Sequence, residues 1–221
     1  MAKVSLIIPS LNEEGGIGKT IKEIPRDFVD QIIVVDGHST DKTVEEAMTV
    51  LGPNDNVVIQ KRDGFGGALF DGFDLAQGET VMIMDADGSH NPNDIPKILS
   101  KMGPNTLVLA SRYAKGGRSD DDTFVRKLGN WVFTKLINVV HGVRVTDALY
   151  LFIAISRNDF KRLDLKNHGF GVCIEFLVRA KKIGLRFEEV PAIERARLHG
   201  ESKVSAFRDG LKMLKMILKK Y

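Results

Sequence analysis

Cysteine is almost absent from this chain: Cys173 is alone among 221 residues. One thiol excludes an internal disulfide and any zinc site built on cysteines, and it makes a reducing cytoplasm the expected compartment. Long apolar runs are missing too. None reaches the roughly 18 residues that cross a bilayer. Met1 to Pro9 lacks the apolar core and cleavage site of a signal peptide, so any membrane association is expected to be peripheral. Neither charge sign dominates, with 32 Lys and Arg against 29 Asp and Glu for a net +3. That excess is too small to argue for nucleic acid, but it suits phosphorylated substrates or an anionic membrane surface. Aromatics are few, at 7%. No internal repeat or low-complexity segment is present.

What is abundant is glycine, with 21 residues, and an ordinary apolar fraction of 43%. Together they predict one core with many tight turns. Short β-branched runs at Val4 to Ile8, Gln31 to Val35, Asn56 to Gln60 and Val81 to Met84 read as strands. Gly18 to Ile24, Asp41 to Leu51 and Gly64 to Gln77 read as the helices between them, with Ser39 or Asp41 as the cap of the second. Four strand–helix alternations predict a mostly parallel sheet with helices on both faces. The later chain is less regular. Thr106 to Ala110 and Arg186 to Val190 read as strands, and Phe124 to Val140, Phe170 to Ile183 and Ala206 to Lys220 as helices. Gly116 to Asp122 reads as a mobile loop.

Ligands of such sheets bind at the carboxyl ends of the strands. Glu13 and Glu14, Asp36, and Asp85 with Asp87 all follow strand ends, so they are expected on one rim. In Asp85-Ala86-Asp87, alternate residues share a face. Two carboxylates plus diphosphate oxygens make an oxygen-only site for Mg²⁺ or Mn²⁺. Such a metal neutralises a departing nucleoside diphosphate.

Other motifs leave alternatives open. Gly64-Phe65-Gly66-Gly67 can expose backbone N–H groups to phosphate or mark close packing at a helix start. Gly15-Gly16-Ile17-Gly18-Lys19-Thr20 follows a strand and opens a helix as a P-loop does. Glu13 and Glu14, however, bring negative charge where a triphosphate cradle needs positive. Arg112, Arg126, Arg197 and Lys203 are candidate phosphate ligands. His38, His90 and His199 read as polar turn residues, His90 being placed to support the Asp85–Asp87 turn.

Val4 to Glu14, Val34 to Asp41 and Asp85-Ala86-Asp87 resemble family 2 glycosyltransferases of the GT-A fold. Ala110-Ser-Arg-Tyr113, Gly116-Gly117, Arg126 with Asn130, Asp147, Gly169-Phe170 with Glu175, Glu189-Val-Pro191 and Gly200-Glu-Ser-Lys203 narrow the resemblance to the dolichol-phosphate mannose synthase group. The resemblance implies a single α/β GT-A domain over residues 1–204 with a mostly parallel central sheet flanked by helices. Residues 205–221 would form a basic amphipathic helix. It implies donor contacts from Pro9, Glu13, Val35, Asp36, Asp85, Ala86, Asp87, Arg197 and Lys203. Metal contacts fall to Asp85, Asp87 and Ser89, which stands where the family often has Gln. Acceptor-phosphate contacts fall to Arg112, Arg126 and Asn130, and catalysis to Asp87, Arg112 and Arg126.

The implied reaction moves a hexose, mannose or glucose, from GDP-mannose or UDP-glucose to a polyprenyl or dolichyl phosphate. It proceeds by inversion at the cytoplasmic face of a membrane, with Gly116 to Asp122 closing over the site. Gly37 replaces the family's usual second acidic residue and leaves the donor base open. Ala148 to Phe152 departs from the family's usual sequence after Asp147. A glycan acceptor would instead need a base, with Asp147 or Glu175 as candidates. Phe207, Leu211, Leu214, Ile217 and Leu218 form one stripe of the C-terminal helix, ringed by Arg208, Lys212, Lys215, Lys219 and Lys220. That stripe suits either an anionic membrane or packing on the domain.

Overall fold

The computed structural model describes residues 3–197 and 213–219. The first half runs β1 (Val4–Ser10), α1 (Ile17–Lys22), β2 (Gln31–Asp36), α2 (Thr43–Met48), β3 (Asn56–Ile59), α3 (Gly64–Leu75) and β4 (Thr80–Ile83). The second half adds α4 (Ile95–Ser100), β5 (Thr106–Ser111), β6 (Arg118–Ser119), α5 (Phe124–His141), β7 (Ile153–Ser156), α6 (Arg157–Leu163), α7 (Val172–Lys182), β8 (Arg186–Pro191) and β9 (Ile193–Glu194).

Seven strands form one sheet in the order β3-β2-β1-β4-β7-β5-β8. All of its pairings are parallel except those of β7, which runs antiparallel between β4 and β5. Alternate side chains enter two separate cores. Ile7, Ile33, Ile83, Leu109 and Ile153 meet Leu69 of α3, Ile137 of α5, Phe160 of α6 and Phe176 of α7. Leu6, Ile8, Ile32, Val34, Met82 and Val108 meet Ile17 and Ile21 of α1, Ala47 of α2, and Ile95 and Ile98 of α4. A sheet covered on both faces needs apolar residues at every position, which is why its central strands are continuous runs rather than alternating ones.

That continuity also hides β7. Ala148 to Ile155 is apolar throughout apart from Tyr150, with no period to separate strand from loop. β7 runs antiparallel to both of its neighbours, a direction its own residues do not announce. The Gly116 to Asp122 segment, expected to be a mobile loop, holds a short pairing at its centre. Arg118 and Ser119 pair with Ile193 and Glu194, and the amides of Asp121 and Asp122 donate to Ser119 Oγ at 3.3 and 3.0 Å. The N-cap position of α2 is Lys42, with no side-chain cap bond. Asp41 Oδ1 accepts from the Thr43 amide at 3.0 Å, and Ser39 Oγ donates instead to Asp36 Oδ1 at 2.5 Å.

The expected boundary at residues 204 and 205 lies outside the described residues, as do Phe207, Arg208, Leu211, Lys212 and Lys220. Residues 213–217 are helical. Ile217 is fully buried, whereas Leu214 and Leu218 are exposed. His141 Nε2 donates to the Ile217 carbonyl at 2.7 Å. This stretch therefore packs on the domain, and Ile217 does not share an outward stripe with Leu214 and Leu218.

The Gly64–Gly67 turn resolves toward packing. The amides of Gly66 and Gly67 donate to the His168 carbonyl at 2.7 and 3.2 Å, so they are not turned toward a phosphate. A Cβ on Gly66 would meet the Asn167 carbonyl oxygen at 2.1 Å. Relief requires backbone movement, because the neighbour is not a flexible side chain. Gly66→Ala is expected to lower stability by about 1–3 kcal/mol or more, read as a fall in the urea-unfolding midpoint.

Candidate active site

β1 and β4 are parallel neighbours, so the residues after them emerge on the same rim. Asp85, Ala86 and Asp87 follow β4 and line one cavity of about 690 Å³ with Pro9, Ser10, Glu13, Gly37 and Gln60. β4 itself ends at Ile83. The shared facing of the two carboxylates thus comes from the turn beyond the strand, not from the pleat. Gly88 takes a φ of +80° there, and the Ser89 amide donates to Asp87 Oδ1 at 2.9 Å.

The charges in this turn are unequal. Burial and the neighbouring charge of Asp87 push the Asp85 carboxyl up to about 7. Burial acts on Asp87 in the same sense, but hydrogen bonding from Ser89 and the charge of Arg197 hold it below the usual carboxylate range. Arg197 Nη1 lies 2.7 Å from Asp87 Oδ2. His90 supports Asp85 from beneath: its Nδ1 accepts from the Asp85 amide at 3.1 Å, which leaves the proton on Nε2, 3.4 Å from Asp85 Oδ2. Burial lowers His90 to about 4, so at neutral pH it is an uncharged donor. Its ring stacks on Phe152 with centroids 5.0 Å apart. His90 is a buried support for Asp85 and not merely a polar turn residue.

The second wall comes from the later half of the chain. Arg112 grips Asp147 through Nε at 2.7 Å and Nη2 at 3.0 Å, and its Nη1 reaches Glu194 Oε1 at 3.2 Å. Its guanidinium carbon sits 4.8 Å from the Tyr150 ring centroid. Arg126 Nη1 lies 3.0 Å from Asp121 Oδ2, and Arg197 Nε lies 3.5 Å from the same oxygen. Asn130 Nδ2 donates to Tyr113 Oη at 3.0 Å, and Tyr113 donates to Asp122. Val125, Phe133, Leu149, Leu151, Phe170 and Met213 give this wall an apolar lining. Two buried hydroxyls of the cavity, Ser10 Oγ and Tyr150 Oη, have no hydrogen-bond partner among the described residues. A polar ligand would satisfy them.

Of the residues singled out from sequence, Pro9, Glu13, Asp85, Ala86, Asp87, Ser89, Arg112, Arg126, Asn130 and Arg197 therefore share one cavity. Val35 and Asp36 are fully buried and do not line it. Asp36 Oδ2 accepts from the Ser39 amide at 2.8 Å, which shapes the turn that brings Gly37 to the cavity wall. Glu14 Oε2 accepts from the Lys42 amide at 3.3 Å. Lys203 and His199 lie outside the described residues. Asp147 and Glu175 do not line the cavity as a base would. Asp147 is held by Arg112, and Glu175 Oε2 accepts from the amides of Lys166 and Asn167 at 2.9 and 2.7 Å.

The P-loop reading fails on geometry. The Gly15 amide donates to the Glu46 carboxylate at 2.8 Å, and the amides of Gly16 and Ile17 donate to the Glu13 carbonyl at 3.1 and 3.0 Å. A carboxylate occupies the place a phosphate would need. Lys19 is exposed.

Residues 5–164 match Glycosyl transferase family 2. The chain belongs to that family. Among its relatives, an undecaprenyl-phosphate mannosyltransferase of Micrococcus luteus is 32% identical over 214 residues, which is 92% of this chain and 88% of that one. A dolichol-phosphate mannosyltransferase of Pyrococcus furiosus is 30% identical over 210 residues, 91% of this chain but 59% of its own longer length. Among solved structures, glucosyl-3-phosphoglycerate synthase of Mycobacterium tuberculosis, crystallised with Mn²⁺, UDP and glucosyl-3-phosphoglycerate, has a TM-score of 0.77 at 23% identity, covering 98% of this chain and 79% of that one. The likeness bears out the α/β fold, with one strand reversed in a mostly parallel sheet.

Within this glycosyltransferase, Glu194, Asp121 and Tyr150 are cavity residues that no sequence motif announced. Asp121 is one of three consecutive aspartates, whose composition suggests a solvated turn. Only the pairing of β6 with β9 carries it to Arg126 and Arg197. Arg112 and Arg126 differ in kind. Arg112→Ala would leave Asp147 and Glu194 buried without their cation, a loss of about 3–5 kcal/mol. Arg126→Ala breaks an exposed pair and should change stability by under about 1 kcal/mol. Chemical denaturation of the two variants checks this contrast.

Proposed function

We propose that the chain transfers a hexose from a nucleotide-sugar to a polyprenyl phosphate presented at the cytoplasmic face of a membrane. The observation that carries this reading is the dual character of the cavity described above. Paired carboxylates and the ends of β1, β2 and β4 line it on one side, and arginines set among apolar side chains line it on the other. The first suits a nucleoside diphosphate and the second a phosphate on a hydrocarbon chain. The relatives of Micrococcus and Pyrococcus, by their names, act on undecaprenyl and dolichol phosphate, and these support the acceptor class.

Asp85 and Asp87 suit Mg²⁺ or Mn²⁺. They supply hard oxygens only, and burial together with the charge of Asp87 pushes the Asp85 carboxyl up to about 7, a situation a divalent cation relieves. No third acidic or histidine ligand joins them in a cluster among the described residues. The remaining ligands would therefore be diphosphate oxygens, water and the nearby Ser89 hydroxyl, a normal shell for these ions. When bound, the metal supplies charge neutralisation at the departing diphosphate.

The residues of the chain do the rest. Pro9, Ser10, Gly37 and Gln60 form the edge that would hold the nucleoside, either of GDP-mannose or of UDP-glucose. Arg197, and Lys203 by the family's pattern, would take the donor phosphates, and Arg126 with Asn130 the acceptor phosphate. Arg112 acts from its ion cluster as a positioning residue, holding the wall that carries them. An oxygen of the lipid phosphate attacks the anomeric carbon as the bond to the diphosphate breaks. The stereochemistry inverts, and nucleoside diphosphate leaves. The phosphate is already anionic, so no general base is required. This accords with the engagement elsewhere of Asp147 and Glu175, the two bases named for a glycan acceptor.

The test incubates the protein with labelled GDP-mannose or UDP-glucose, undecaprenyl phosphate and Mn²⁺. Label should enter the organic extract with one donor and vanish with EDTA. Asp87→Asn should lower the rate roughly 10²-fold or more, and Lys19→Ala should leave it unchanged. Absence of labelled lipid with both donors, alongside transfer to a soluble glycan, would overturn the acceptor assignment. A product of retained anomeric configuration would overturn inversion.

A further inference from the structure

Residues 120–122 are consecutive aspartates, and each is engaged differently. Asp120 pairs with Arg118 in solvent, Nε to Oδ1 at 3.1 Å. Asp122 accepts from the Tyr113 hydroxyl. Asp121 alone meets the arginines of the cavity. Its Oδ2 lies 3.0 Å from Arg126 Nη1 and 3.5 Å from Arg197 Nε. This side chain is not needed to hold its own loop. The amides of Asp121 and Asp122 donate to Ser119 Oγ, and the Asp120 amide donates to the Glu194 carbonyl at 2.9 Å. The backbone is pinned, while the carboxylate can swing away by rotation about its own side-chain bonds.

The carboxylate fits the two arginines incompletely. Arg197 Nε is buried and has no hydrogen-bond partner among the described residues, so its 3.5 Å approach to Asp121 is a charge contact only. Nη1 of the same guanidinium is taken by Asp87 at 2.7 Å. Arg197 thus faces the paired carboxylates with one edge and the acceptor side with an unsatisfied donor. A phosphate monoester presents three acceptor oxygens and a charge between about −1.5 and −2 near pH 7. It can bond to Arg126 Nη1 and Arg197 Nε together, and charge-assisted bonds of this kind are the strong ones. Asp121, with a single charge, is the weaker occupant of the same place.

We propose that Asp121 is a tethered competitor for the acceptor phosphate, and that its return to Arg126 and Arg197 releases the finished product. The inference rests on the polyprenyl-phosphate acceptor proposed above. In that reaction an oxygen of the phosphate monoester forms the bond to the anomeric carbon. The bond from that carbon to the diphosphate breaks, and its electron pair leaves with the nucleoside diphosphate. The lipid phosphate thereby turns from a monoester of charge near −2 into a diester with a single charge and one fewer free oxygen. The product offers the arginines no more charge than the Asp121 carboxylate does. Held a few bonds from its place, that carboxylate competes at an effective concentration of roughly millimolar or more. It yields to the monoester and displaces the diester. Arginines without it would bind both lipids more tightly, and the tighter grip on the product would slow each turnover.

Asp121→Asn keeps the shape of the side chain and removes its charge. The full chain is assayed with a short, water-soluble prenyl phosphate and with the purified glycosyl product made from it. In Asp121→Asn the KM for the prenyl phosphate and the inhibition constant of the product should both fall about five-fold. Release of labelled product, chased with excess prenyl phosphate, should slow by a similar factor. Asp121→Glu retains the charge and should return all three values toward those of the unaltered protein. Asp120→Asn should leave them unchanged. Values that do not move in Asp121→Asn would overturn the inference, and so would a fall in KM with product inhibition and release unaltered. An equal effect from Asp120→Asn would overturn it too, since the cause would then be the net charge of the loop. Absence of transfer to the prenyl phosphate by the unaltered protein would instead overturn the acceptor assignment, and this inference with it.

Discussion

The later half of the cavity hangs on one buried cation. Arg112 leaves the end of β5 and reaches two carboxylates far away in the chain, Asp147 ahead of β7 and Glu194 in β9. Three polar charges are removed from water together, which is tolerable only because each is paired and the guanidinium donates in two directions. Glu194 in turn accepts from Ser119 in β6. Ser119 receives the amides of Asp121 and Asp122, and Asp121 then holds Arg126 and Arg197. The positions of both arginines proposed for phosphate therefore trace back to Arg112, although Arg112 is itself saturated with carboxylates.

The opposite wall follows a different logic. Asp85 and Asp87 are crowded into one turn, and nothing in the described residues fully neutralises both. Arg197 compensates Asp87 while Asp85 rises toward neutrality. His90 stays uncharged and fixes Asp85 through a defined tautomer. Two adjacent carboxylates with one of them shifted up to about 7 are what the function proposed above would use for a doubly charged cation. Arg126 and Arg197 share the carboxylate of Asp121.

Much of this was legible in the residues. The four strand-and-helix alternations appear where the apolar runs stand, because a sheet buried on both faces requires such runs. The carboxylates after β4 reach the rim because parallel strands all end on one side. Other features were hidden. Asp36 reads as a rim carboxylate, yet it is fully buried and shapes its own turn through Ser39. Gly15 to Thr20 reads as a phosphate cradle until Glu46, from a different helix, is found bonded to the Gly15 amide. Glycines 64 to 67 allow two interpretations, and the His168 carbonyl, about a hundred residues away, decides between them.

The sequence by itself determined the class of the fold, the family, and the pair Asp85 and Asp87, since these depend on local runs, spacing and the order of motifs. Only the tertiary structure decided the direction of β7, the pinning of Arg118 and Ser119, the ion cluster of Arg112, and the outward apolar face of α5. Each of these depends on what lies across a gap in space. Periodicity reports that α5 has apolar residues on more than one side. It cannot report which side the core takes and which side is left exposed.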